Sequence, residues 1–313
     1  MTGRSKDMGI VYDCAIIGGG IAGLQAAIQL GRYNRRVLVI DAGDGRSVQC
    51  RGYNNLLGWP EGVSGAELRQ RGRQQAEKTG VQFRQGKVED AVLAEGRFRV
   101  GLEDGQTVYA KRLLLATGIV DRMPDLPGLL PCLGRSIYVC PDCDGYELMD
   151  QKAVVLGAGK VGAQMALTLS YWTKDIVFIN HESTPIDEKL SGQLQAMGIE
   201  HRSEPIARLV ESDGHLSEVT LKSGESIHVR KGFVAFGGNE VRSELAAKLG
   251  VKLHENKHVL VDPRTKMTNV EFVWSAGDVV AHSEQVAIAM GDGVQAAIWI
   301  HKSLLGIAVP RHK

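Results

Sequence analysis

The chain is short of several things, and each shortage removes a class of protein. Aromatic residues make up 5% of its 313 positions. No apolar run approaches the roughly 20 residues that span a bilayer, so a membrane protein is not expected. An excess of one charge is missing too: 37 basic against 36 acidic side chains leave a formal +1, which argues against nucleic acid or an anionic membrane as partner. Residues 1–9 are short and polar with no apolar core segment, so no signal peptide is expected. Cysteines number five, an odd count without regular spacing, unlike a secreted disulfide scaffold. Two of them form a CxxC, which in a reducing compartment is more often catalytic or metal-binding than structural, and a cytoplasmic location is expected. No second CxxC or Cys/His pair matches the first, so half of a zinc site would have no other half and no metal is expected.

What is present is a strand–glycine–helix unit, and it occurs twice. Residues 12–17 form a short apolar run with β-branched Ile16 and Ile17, which reads as a buried strand. It enters Gly18-Gly19-Gly20-Ile21-Ala22-Gly23, a helical stretch rich in Ala and Leu follows, and a second strand ends at Asp41. Strand, G-x-G-x-x-G, helix and an acid about twenty residues on is a dinucleotide fingerprint in its proper context. Gly18 permits the tight turn, Gly20 lets backbone approach a pyrophosphate, and Gly23 lets helix and strand pack closely. The helix N-terminus then faces the phosphates, and Asp41 is placed for a ribose diol. The second copy runs from residue 153 through Gly157-Ala158-Gly159-Lys160-Val161-Gly162 to a strand ending at Asn180. Gly18 to Asp41 and Gly157 to Asn180 have identical spacing.

That shared register exposes a difference. Where the first unit has a carboxylate, the second has the amide of Asn180, followed by His181 and Glu182. A 2′-phosphate site would offer arginines here, because guanidinium groups bind phosphate in bidentate fashion, and Glu182 would repel it. The loop could still take NADH through Glu182, or could be a scaffold that binds nothing; use of NADH or NADPH stays open.

Other segments are read more simply. Residues 46–65 form an irregular loop, and a polar helix capped near Ser64 or Gly65 runs to about Lys78. Residues 98–102 and 107–110 make a hairpin around Glu103-Asp104-Gly105, and Leu113-Leu114-Leu115 is a further strand ending in the small residues Ala116-Thr117-Gly118. A helix from Glu188, hairpin pieces at 217–222 and 226–229, and a strand at 233–236 complete the middle. Near the C-terminus, a strand at 271–276 ends at Gly277-Asp278, and a helix runs from about Glu284 to Leu304. Gly277 allows close backbone approach to a ligand, Asp278 could bind hydroxyls, and a helix start at Gln285-Val286 would stabilise a negative charge, although a plain strand–turn–helix reads the same residues.

Between the two glycine loops lies Cys140-Pro141-Asp142-Cys143-Asp144-Gly145. Two such thiols can take up and release two electrons as a disulfide. Pro141 stiffens the loop. Asp144 stands where a proton must reach a sulfur, and an exposed Asp near 3.9 is a poor donor at neutral pH, so its pKa needs raising by burial.

These motifs together resemble the low-molecular-weight thioredoxin reductases and their flavoprotein relatives, over nearly the whole chain. The resemblance implies an α/β protein of two Rossmann-like three-layer dinucleotide-binding domains, the second inserted into the first. Residues 1–119 and 240–313 would bind FAD, and 120–239 would be a pyridine-nucleotide-type domain carrying the CxxC. It implies a homodimer, thioredoxin or a similar small dithiol protein as partner, Cys143 facing the flavin, Cys140 attacking the substrate disulfide, and Asp144 as general acid. Asn55, Val88, Asp278 and Gln285 match positions near FAD. The chain departs from NADPH-using members, which carry His-Arg-Arg where Asn180-His181-Glu182 stand and Arg where Glu284 stands. In this it resembles the branch without NADPH determinants, including ferredoxin-linked and deeply branching cyanobacterial forms, so ferredoxin is a candidate donor. The alternatives are a dithiol oxidase passing electrons from a small dithiol to oxygen, whose members often have His where Asp144 stands, and a non-catalytic redox-sensing flavoprotein.

Overall fold

The computed structural model describes residues 10–310. The reading of residues 1–9 as free of a signal segment lies outside them. By their contacts the chain's residues form two compact units: 1–48, 66–120 and 241–313 make the first, 49–65 and 121–240 the second. The segment 49–65, expected with the first domain, groups with the second unit.

The first unit is built on a seven-stranded sheet. Its parallel part places Val11–Ile17 between Val37–Asp41 and Thr107–Leu115, with Gln82–Gln85 at the outer edge. Val88–Ala94 and Arg97–Leu102 continue it as an antiparallel meander. Thr107–Leu115 is one nine-residue strand, where two pieces were expected. Its first half pairs with Arg97–Leu102, and Leu113, Leu114 and Leu115 pair with Val273–Ser275. A sheet covered on both faces needs apolar residues at every position. Successive side chains from Cys14 to Ile17 obey this: Ala15 and Ile17 enter one cluster with Leu113 and Leu115, while Cys14 and Ile16 enter the opposite one with Leu114 and Trp274.

On the second face the helices Ile21–Arg32 and Val286–Leu304 pack together. Small residues make the approach close: a Cβ on Gly293 would stand 2.3 Å from the Ala22 carbonyl oxygen, with Ala26 and Ala289 buried alongside. The second helix begins at Val286, two residues later than expected.

The second unit repeats the plan. Ala153–Gly157 lies between Ile176–Asn180 and Lys231–Ala235, with Glu200–Arg202 and Ile137–Tyr138 at the edges, all parallel. Val154 and Leu156 feed one cluster, Ala153 and Val155 the other. A separate three-stranded antiparallel sheet, Ile206–Ser212, His215–Leu221 and Ser226–His228, contributes Leu209, Leu216 and Val219 to the first of these clusters. Among the described residues, no helix is long and apolar enough to cross a membrane.

Candidate active site

Cys140 and Cys143 are joined as a disulfide across one helical turn, with Cα atoms 5.3 Å apart. That separation lies inside the range an unforced disulfide allows. The turn forms because Cys140 occupies the cap of the short helix Pro141–Asp144, whose first position takes proline without loss of a hydrogen bond. The amides of Cys143 and Asp144 both donate to the Cys140 carbonyl, at 3.2 and 3.1 Å. Both cysteines are half-buried.

Asp144 is the chemically perturbed group. Burial, helped by the nearby Glu147 carboxylate, pushes its pKa up to about 7, against the opposing pull of an Asn54 hydrogen bond and the Lys231 charge. A carboxyl group at that value can hold and release a proton near neutral pH. Lys231 links the surroundings: its Nζ donates to the Tyr138 hydroxyl at 2.8 Å and lies 3.6 Å from Glu147. Burial, with Glu147 and Asp144 adding to it, raises the Tyr138 pKa. Asn54, Glu147, Lys231 and Tyr138 were not singled out from sequence. Glu147 and Tyr138 are close in sequence, three residues after Asp144 and two before Cys140; Asn54 and Lys231 arrive from distant segments. Asn55, which was singled out, is exposed, and its neighbour Asn54 reaches Asp144.

In the first unit, Gly18 has φ +109°, and a Cβ there would stand 2.2 Å from the Ala116 oxygen. A Cβ on Gly23 would meet the Gly18 oxygen at 1.9 Å. Gly20 differs from both, since nothing lies within 4 Å of its Cβ position. It caps the helix Ile21–Arg32 with no side-chain hydrogen bond, so the open helix start is available to phosphate. Asp41 at the end of its strand accepts from the Gly19 N–H at 3.0 Å and from Arg69 at 2.7 Å. Beyond Asp41 a cleft of about 370 Å³ is lined by Gly43, Arg69, Arg73, Phe83 and Gln85 among others. Thr117 and Gly118 both bind Arg242 of the same unit, the Thr117 hydroxyl donating to its carbonyl at 2.5 Å and the Gly118 carbonyl accepting from its N–H at 3.1 Å. Val88 packs against the apolar core.

Gly277 has φ +80° and brings backbone against the Ala22 methyl. Asp278 and Glu284 both accept from Arg46 Nη1, at 3.0 and 2.7 Å. Gln285 caps the helix Val286–Leu304 without a side-chain hydrogen bond. Asp292, buried within that helix, accepts from His282 Nε2 at 2.5 Å, Lys266 at 2.7 Å and the Gly277 N–H at 3.2 Å. His282 is held above its ordinary pKa mainly by that bond. Gly20's open face, the uncapped helix start, Asp41 and its cleft fit the diphosphate and adenosine of FAD.

The second glycine loop has the same spacing and another shape. Gly159, matching Gly20, has φ +47° and is the first residue of its helix, Gly159–Leu169. Its N–H, which would face a pyrophosphate, donates to Asn180 Oδ1 at 2.9 Å, and Asn180 Nδ2 donates to the Thr184 carbonyl at 2.8 Å. Asn180 is 2% exposed, turned inward. Gly157 and Gly162 are required by packing, since a Cβ on Gly162 would stand 2.4 Å from the Phe178 ring. His181 Nδ1 accepts the Ile206 N–H at 2.8 Å, and Glu182 pairs with Arg122. These residues do not fit the 2′-phosphate of NADP.

A redox disulfide on a domain of strand–glycine–helix design, in a chain with a second such domain, defines a class: flavoprotein disulfide oxidoreductases. Residues 12–293 match the pyridine nucleotide-disulphide oxidoreductase family. The chain is 31% identical to a thioredoxin reductase of Mycolicibacterium smegmatis, over 92% of this chain and 95% of that one. With a thioredoxin reductase of Streptomyces coelicolor it shares 30% identity over 93% of each chain. The crystal structure of an oxidoreductase from Agrobacterium tumefaciens superposes with a TM-score of 0.77 at 30% identity, over 95% of this chain and 99% of that one. The chain belongs to the pyridine nucleotide-disulphide oxidoreductase family and, within it, to the low-molecular-weight thioredoxin reductases. It is an FAD-dependent enzyme of disulfide oxidoreduction.

Proposed function

We propose that the enzyme reduces a thioredoxin-type disulfide through Cys140 and Cys143 and draws its electrons from a donor other than NADPH. The relatives named thioredoxin reductase support the substrate class. The observation that carries the chemistry is the helix-turn disulfide beside an aspartic acid poised near neutrality. FAD would lie along Gly18, Gly20, Gly23 and Asp41, reach Ala116-Thr117-Gly118, and extend to Gly277, Asp278, Gln285 and Val286; Asn55 and Val88 are matched only by resemblance. When bound, it supplies the electron pair that opens the Cys140–Cys143 disulfide.

The protein's own groups then act in sequence. The Cys140 thiolate attacks one sulfur of the substrate disulfide, that S–S bond breaks, and Asp144 gives its proton to the departing sulfur. Cys143 then attacks the Cys140 sulfur of the mixed disulfide. The second substrate thiol leaves, the Cys140–Cys143 bond is restored, and two electrons have passed to the substrate. A thioredoxin variant whose single active-site cysteine carries a thionitrobenzoate group tests these roles. Cys143→Ser should form a covalent complex with it and release thionitrobenzoate, while Cys140→Ser should do so at least ten-fold more slowly. Equal rates would remove the assignment of Cys140.

For the donor, the support is the inward Asn180, the occupied Gly159 N–H and the acid at 182. Ferredoxin or NADH are the remaining donors, and homodimeric assembly in the cytoplasm goes with this reading by resemblance. Anaerobic addition of NADPH, NADH and reduced ferredoxin, followed by flavin bleaching, decides it. Fast bleaching by micromolar NADPH would overturn this choice of donor.

A further inference from the structure

The second glycine loop is spanned by a side chain of its own unit. Ala153–Gly157, the strand that feeds the loop, lies between Ile176–Asn180 and Lys231–Ala235. In an open parallel sheet the carboxyl edge of such strands is where nucleotides lie. Arg122 reaches across that edge. Its backbone N–H donates to Asn239 Oδ1 at 3.0 Å, and its side-chain Nη1 lies 3.5 Å from the Phe236 carbonyl, just past Lys231–Ala235. Its Nη2 donates to the Glu182 carboxylate, two residues past Ile176–Asn180. One guanidinium therefore bridges the ends of both neighbouring strands. The loop is also walled on either side: Thr184 Cγ2 lies 2.8 Å from the Cβ position of Gly159, and Val161 Cγ2 lies 2.9 Å from that of Gly237.

Guanidinium pairs with carboxylate and with phosphate through the same charge-assisted hydrogen bonds. We propose that Glu182 is a built-in occupant of a phosphate-binding arginine: it holds Arg122 where a dinucleotide phosphate would otherwise be bound, and the Arg122–Glu182 pair sets the coenzyme selectivity of the second unit. This rests on the reading that the loop is not a standard NADPH site. It adds that the part of the exclusion that falls on the 2′-phosphate resides in one removable carboxylate, with a latent phosphate ligand beneath it. Arg122 and Glu182 are partly exposed, 48% and 34% by side chain, and pairs of that kind contribute little to stability. Changing them leaves the fold in place, which far-ultraviolet circular dichroism and FAD content verify.

The experiment is calorimetric titration of the FAD-loaded full chain with adenosine 2′,5′-bisphosphate and with 5′-AMP. Wild type should bind both weakly and without preference. Glu182→Gln should bind the bisphosphate roughly ten-fold or more tightly than wild type, and Glu182→Gln combined with Arg122→Ala should return to the wild-type value. Unchanged affinity in Glu182→Gln, beside a weakly binding wild type, overturns the present inference and leaves the choice of donor standing. A gain that survives in the double variant is a through-space effect of the lost charge, and overturns the role of Arg122. Tight binding by wild type overturns the reading of the loop itself.

Discussion

Asp144 shows how one residue's environment joins stability to chemistry. In the unfolded chain its carboxyl would ionise near 3.9. In the folded protein, burial and Glu147 hold the pKa at about 7. A raised carboxyl pKa means that the native state keeps a proton the unfolded state has lost. The stability it contributes is full below about pH 4, declines as pH rises toward 7, and is gone above. Asp144→Asn removes that dependence. Relative to wild type, the variant should gain about 1–3 kcal/mol in urea unfolding between pH 5 and pH 8, a figure reduced from the roughly 4 kcal/mol of a fully buried group by its partial access to water. The same variant cannot deliver a proton, and its disulfide-reduction rate at pH 7 should fall about 100-fold, the lower range for loss of a general acid. A variant as sensitive to pH as wild type, or fully active, would separate Asp144 from the proton transfer. The Cys140, Cys143 and Asp144 constellation was legible in the sequence because all of it lies on one turn. Asn54 and Lys231 were not, because no local pattern tells which distant polar groups folding will bring to a carboxylate.

At the scale of elements, the glycines divide into those that make room for a neighbour and those that leave space. Gly293 makes room: it lies inside Val286–Leu304 against the backbone of Ile21–Arg32. Gly293→Ala would improve helix propensity by about 1 kcal/mol. It would also place a methyl 2.3 Å from the Ala22 carbonyl oxygen, and backbone cannot rotate away as a side chain can. Overpacking costs about 1–3 kcal/mol, and a backbone clash belongs at the upper end, so the variant should be destabilised by about 1–2 kcal/mol net in urea. A neutral or stabilised variant would show that the two helices can slide apart without cost. Strand–glycine–helix units were readable because each signal is local and repeated. The strands at the sheet margins were not. Gln82–Gln85 is polar and Val88–Ala94 reads as Val-Glu-Asp-Ala-Val-Leu-Ala with most side chains exposed, so pairing with neighbours rather than apolar alternation makes them strands. The equal spacing of the two glycine loops also concealed their difference. Which amide an Asp41 or an Asn180 captures depends on backbone angles at Gly20 and Gly159, and spacing does not report those.

For the whole molecule, the two units differ in how their chain is assembled and in what they are built to hold. Each has its own sheet with apolar clusters on both faces, the requirement for folding as a unit. The first is stitched from three separate stretches, and the groups assigned to FAD come from all of them: Gly18 and Asp41, Ala116 to Gly118, and Gly277 to Val286. A ligand that contacts all three stretches binds only when they are folded together. Its stabilisation follows mass action, about 2.7 kcal/mol when free FAD stands at 100 times its dissociation constant. The second unit, by contrast, has its phosphate-facing amide satisfied by Asn180 and its bridging arginine by Glu182, so on the proposed choice of donor it gains no such support from NADPH. Calorimetric unfolding should therefore show one transition that moves upward with added FAD and a second that does not move, and removal of FAD should widen the gap between them. NADPH added to the FAD-loaded protein should shift neither. A single transition that moves as a whole with FAD would mean that the two units unfold together, and a shift produced by NADPH would place a nucleotide on the second loop after all.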